Sequence, residues 1–159
     1  MKASKLAGEA GLVACLVAGS AFAEEQTLRY RLVVSMTNVA YSENPNAPGH
    51  TVGAGRAVGV AVFEDGRIAF KDFVLAEDGT EEAGTTSGYS TYTFQNGDSL
   101  TARFTFEWSP AGGVGDYQVL SGTGAFEGAT GTGHFEAAEE AWKDADLLEG
   151  SFTLDVPAM

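Results

Sequence analysis

The chain has a single cysteine, Cys15, and it falls within the first 23 residues. No internal disulfide and no cluster of thiolate metal ligands can therefore hold the rest together, and stability must come from a packed core. Bases are scarce as well: nine Lys and Arg stand against 22 Asp and Glu, a net charge of −13. That balance makes nucleic acid and anionic membranes poor partners, since both attract basic patches, and its plain role is solubility. Histidine occurs twice, and no run after residue 23 approaches the roughly 20 apolar residues of a spanning helix. Helical periodicity is nearly missing, with one short candidate from about Ala138 to Ala145.

What is present begins with a leader. Lys2 and Lys5, an apolar stretch from Gly11 to Ala18, and small residues at Ala21 and Ala23 form a secretory signal with cleavage expected after Ala23. Leu12-Val13-Ala14-Cys15 offers a rival, lipobox-like reading, disfavoured because Glu9 interrupts the segment before it. The expected mature form, residues 24–159, is one domain, secreted or periplasmic, with 21 acids, 7 bases and a charge of −14. No membrane anchorage is expected of it.

The remainder divides into short segments rich in β-branched and aromatic residues, bounded by Gly, Asn and Asp. Strands are expected at 26–35, 52–63, 67–76, 86–94, 98–109, 115–121, 131–138 and 147–156. Pro45 and Pro48 keep the segment between the first two out of a central strand. Glu64-Asp65-Gly66 reads as a tight hairpin turn. At Gln95-Asn96-Gly97 two registers compete, and a one-residue slip inverts every side chain. A three-residue loop with Gly97 in the left-handed region sets Tyr92 opposite Leu100. Ser90, Tyr92, Leu100, Ala102, Phe104, Phe106 and Trp108 then share one face, and this register is preferred. Eight serial strands with short connections predict an all-β, eight-stranded antiparallel up-and-down β-barrel, because closure removes both sheet edges; a two-sheet sandwich is the alternative.

Residues 122–133, GTGAFEGATGTG, look at first like a phosphate loop, but no helix and no Lys follows, and the next residues alternate as a strand. The glycines instead suit a turn in which Phe126 plugs one end of the barrel. This run, with the earlier SGYSTYTFQNGD of residues 87–98, resembles the allene oxide cyclase-like barrel proteins and, more distantly, the plant dirigent proteins. The resemblance covers about a third of the chain and implies a barrel with a mostly apolar central cavity, often dimeric or trimeric, in a bacterial secreted member. It also implies binding of a small apolar molecule, and an isomerase or cyclase activity that the residues leave open. A lipocalin-like carrier and a non-enzymatic protein with a closed barrel are the alternatives. Only the structural turn glycines Gly122, Gly124, Gly128 and Gly131 carry over, beside Gly97, which the hairpin itself assigns to a turn; no catalytic signature does, and no cofactor is implied.

Among ionisable groups, Asp72 and Glu107 stand within strands, and either would become a general acid or base if directed into an apolar barrel. Glu107 falls on the face of Arg103, where an outward pair is the preferred reading. The third strand is apolar on both sides, so the direction of Asp72 is open, and its second apolar face suits a homo-oligomer interface. The aromatic row Tyr92, Phe104, Phe106 and Trp108 is either core or cavity wall, with Tyr92 and Trp108 adding polar handles for a ligand. His50, in a loop, and His134, on a polar strand face, have no spacing that fixes a metal site, and none is expected. No serine sits in an elbow motif.

Overall fold

The computed structural model describes residues 23–138 and 142–158; the expected leader, Cys15 included, lies outside them save for its last residue. Eight strands follow one another: β1 Glu24–Glu43, β2 Thr51–Phe63, β3 Ile68–Gly79, β4 Gly84–Phe94, β5 Ser99–Ser109, β6 Gly112–Thr123, β7 Thr130–Ala137 and β8 Asp146–Val156. Each pairs antiparallel with the next, and β1 pairs with β8 to close the barrel, so the up-and-down topology is the expected one.

The register of the β4–β5 hairpin is also the expected one. Phe94 N–H donates to Asp98 O at 2.9 Å, Gly97 has φ 92°, and Tyr92 lies opposite Leu100. A non-glycine residue would strain at that φ. The β2–β3 turn repeats the device, with Phe63 N–H on Arg67 O and Gly66 at φ 86°.

Two expectations need correction. β1 does not end at Ser35 but runs on to Glu43, because a bulge between Met36 and Asn38 absorbs Thr37, whose hydroxyl donates to Arg56 O at 2.8 Å. Of the segment expected to be helical, residues 139–141 lie outside the described ones, and in the remainder Trp142 and Ala145 exchange backbone hydrogen bonds across a tight turn.

One end of the barrel is sealed. Phe126, 1% exposed, in a 3-10 turn Gly124–Phe126, stacks 4.9 Å from Phe94, and the Arg67 guanidinium lies 5.6 Å from its ring centre. Gly122 makes room, since a Cβ there would overlap Phe126. The inward face of β2, Gly53-Gly55-Ala57-Gly59-Ala61, offers almost no side chain, and the large residues of neighbouring strands fill that space. On the outside, the second apolar face of β3 is half-exposed: Phe70 lies opposite Val60, and Val74 opposite Tyr89.

Candidate functional site

At the other end the barrel is open. A cavity of about 380 Å³ enters between the β3–β4, β5–β6 and β7–β8 connections, walled by Phe73, Leu75, Phe104, Phe106, Trp108 and Phe135. Its size lies at the small end of the range for ligand pockets. Strand glycines set these walls. Gly115 pairs with Phe106 on one side and Phe135 on the other, and their rings stack over it at 5.4 Å. A Cβ at Gly115 would overlap Phe135, and one at Gly84 would overlap the Trp108 ring.

The floor of the cavity is Lys71. Inward residues of β3 run Ala69, Lys71, Phe73, Leu75, and the alternation leaves Asp72 outside. Lys71 pairs with Gly59 on β2 and Tyr92 on β4. It is 2% exposed. Nζ donates to the Tyr117 hydroxyl at 2.8 Å; the Tyr117 and Tyr92 hydroxyls are 2.9 Å apart, and Tyr92 donates to Tyr30 at 3.4 Å. Lys71 has no carboxylate partner among the described residues.

Burial brings the Lys71 amine down from an ordinary value of 10.5 to about 7, because the ammonium loses its water without gaining a counter-ion. Ring centres of Phe73, Tyr117, Tyr92, Phe104 and Phe135 lie 4.5, 5.2, 5.3, 5.3 and 5.8 Å from Nζ. Their electron-rich faces attract the ammonium and work against that loss. Both forms are therefore populated near neutral pH. Burial pushes the Tyr30 hydroxyl up to about 12 and the Tyr92 and Tyr117 hydroxyls well above 10, so all three keep their protons. The arrangement supplies a neutral amine with a lone pair and, beside it, hydroxyls that donate without ionising.

Of the aromatic row, Phe104, Phe106 and Trp108 line the cavity, whereas Tyr92 lies below Lys71 and reaches the cavity only through the hydroxyl network. Trp108 Nε1 is buried without a hydrogen-bond partner among the described residues, as is Ser90 Oγ.

The two carboxylate candidates are corrected. Asp72 accepts from Arg56 Nε at 2.7 Å on the outer surface, where this guanidinium holds its carboxyl below the usual range. Glu107 is outward and exposed as expected; no ion pair joins it to Arg103 among the described residues. His50 meets Asp78 at 3.3 Å and His134 meets Asp116 at 3.0 Å, both at the surface. No cluster of three metal-ligating side chains occurs among the described residues.

Lys71, Tyr117 and Tyr30 escaped the sequence reading. The signal was there in β3: a lysine in register with Ala69, Phe73 and Leu75, one residue from Asp72. Apolar residues on both faces hid which of the two charges pointed in.

Solved structures share this architecture. A pterocarpan synthase dirigent protein is 16% identical with a TM-score of 0.57, covering 96% of this chain and 100% of its own. A second pterocarpan synthase dirigent protein is 15% identical with a TM-score of 0.59, covering 87% and 99%. A barrel of the DUF3224 family, a protein of unknown function from Shewanella oneidensis MR-1, is 14% identical with a TM-score of 0.52, covering 86% and 99%. No protein-family model and no curated protein matches the chain. At these identities the likeness establishes the fold: a dirigent-like, eight-stranded closed β-barrel.

Proposed function

We propose that the barrel binds a small, mostly apolar molecule in the cavity above Lys71 and guides its isomerisation or cyclisation by proton transfer. The observation that carries this reading is a buried amine, without a counter-ion among the described residues, at the floor of an aromatic cavity open at its other end. A closed, structural barrel has no use for such a group. Lysine in an apolar core costs stability, and the same position filled by an apolar side chain would pack without penalty.

In this reading the walls take up the hydrocarbon part of the ligand by burial, at about 25 cal/mol per Å² of apolar surface. The polar end meets Lys71 Nζ at the floor. Neutral Lys71 takes a proton from a carbon next to an electron-withdrawing group. The Tyr117 hydroxyl, held to Lys71 at 2.8 Å, relays that proton back: it gives its own to the new position as it takes up the one held on Nζ, so both groups end as they began. That two barrels of this architecture are pterocarpan synthase dirigent proteins supports a guiding role here.

The test is binding of 2-naphthalenemethanol, followed by its own fluorescence. Saturable one-site binding is expected, and Ala137→Trp, which fills the cavity wall without touching Lys71, is expected to weaken it by about tenfold or more, a loss of roughly 1.4 kcal/mol. Circular dichroism of the variant checks that the barrel persists. Absence of binding, or equal binding to a folded Ala137→Trp barrel, would contradict the reading.

A further inference from the structure

We propose that Lys71 captures small aromatic aldehydes as a covalent imine, so that the cavity is a site for carbonyl compounds. The proposal rests on the cavity being a ligand site and names the class of molecule that fits it.

The polar groups select that class. An anionic ligand would need a fixed cation and several donors, but the floor offers one amine, itself free of any counter-ion, and hydroxyls already bonded to one another. Burying a carboxylate or phosphate there leaves most of its charge unpaired. A purely hydrocarbon ligand would leave Lys71 Nζ facing apolar atoms. A neutral carbonyl brings no charge, and its carbon is an electrophile for the amine. An aryl group attached to it suits walls built from Phe73, Phe104, Phe106 and Phe135.

The chemistry balances within the site. The Lys71 lone pair attacks the carbonyl carbon, the C=O π bond opens, and the oxygen takes a proton to give a carbinolamine. Nitrogen then loses its remaining proton, the C–O bond breaks, and one water leaves, giving an imine and no redox change. Tyr117, within hydrogen-bond distance of Nζ, relays the proton between nitrogen and oxygen. The neutral imine, unlike an ammonium, carries no charge to desolvate. The lowered basicity of Lys71 keeps a large fraction of the amine unprotonated near neutral pH, as the attack requires.

Lys71 and Lys143 are the only lysines among the described residues, and Lys143 is exposed, so the test has a built-in control. The full protein is incubated at pH 7 with 2-naphthaldehyde and sodium cyanoborohydride, which fixes an imine as a stable secondary amine, and the adducts are mapped by peptide mass spectrometry. Lys71 is expected to label at least about tenfold faster than Lys143. In urea the preference is expected to disappear, and Ala137→Trp is expected to suppress labelling at Lys71 alone. Labelling that is equal at both lysines, or confined to Lys143, while 2-naphthalenemethanol still binds would overturn the covalent proposal and leave the ligand reading standing. If the alcohol does not bind either, both fall together.

Discussion

Lys71→Met is expected to resist urea better than the parent chain at pH 7, by about 2–4 kcal/mol, and to lose most of that advantage by pH 10. Folding at pH 7 requires Lys71 to enter the barrel from water, where its ammonium is stable, to a site where protonation begins only at about 7. Each pH unit of that displacement corresponds to 1.36 kcal/mol, so the penalty is on the order of 5 kcal/mol. The ammonium's attraction to the surrounding rings works against that penalty. Methionine removes the penalty, keeps most of the volume and forfeits one hydrogen bond to Tyr117, a net loss of about 1 kcal/mol.

The pH dependence fixes the sign. The folded pKa lies below the unfolded one, so between about 10.5 and 7 the unfolded chain takes up a proton that the folded chain refuses. Parent stability therefore falls as pH falls through that window, and the penalty is complete below it. Tyr30, Tyr92 and Tyr117 work in the opposite sense: their raised pKa values stabilise the fold below pH 10, and that contribution is lost above it. They are common to both proteins and cancel in the difference. A variant less stable than the parent at pH 7, or a gap that stays constant from pH 7 to 10, would contradict this account of Lys71.

Phe126→Ala is expected to cost about 3–5 kcal/mol, the usual range for emptying the site of a buried phenylalanine. The ring is 1% exposed, stacks on Phe94 and lies beneath the Arg67 guanidinium, and the backbone around it is fixed by Gly122, so little can move in to fill the gap. The two substitutions separate the ends of the barrel. Phe126→Ala lowers stability at the sealed end, and binding of 2-naphthalenemethanol to the folded fraction is expected to stay unchanged. Lys71→Met raises stability and abolishes the aldehyde adduct. Urea titration with fluorescence detection measures the first effect; a loss under about 1 kcal/mol would mean that Phe126 is not the plug.

Much of this barrel is legible in the residues. Gly97 and Gly66 announce their turns through a backbone conformation that other residues adopt only under strain, and the β4–β5 register follows from the first of them. The alternation of Leu100, Ala102 and Phe104 against Thr101, Arg103 and Thr105 then assigns the inner face of β5. Glycine-flanked Phe126 identifies the plug. Less legible is the run of β1 past Ser35, since its continuation depends on a bulge opposite Arg56.

The site itself is the least legible part. Carboxylates drew attention because buried acids are familiar catalysts, yet Asp72 finds Arg56 across the outer surface, a pairing between strands that only the β2–β3 register reveals. Once Asp72 is outside, alternation obliges Lys71 to be inside. Tyr30 and Tyr117 carry no motif at all; they become functional candidates through convergence on one point from β1 and β6. Trp108 was readable as a cavity residue, while Tyr92, in the same row, belongs to the layer beneath.

Lys71 stands inside the barrel as an amine of lowered basicity that faces the cavity. This is tested most directly by NMR on protein labelled with ¹³C at lysine Cε, titrated from pH 5 to 11 with and without 2-naphthalenemethanol, the Lys71 signal being assigned by its loss in Lys71→Met. This signal is expected to titrate near pH 7 and to shift when the alcohol binds. A Lys71 signal that titrates near 10.5 and ignores the alcohol would place the amine in water and contradict the account.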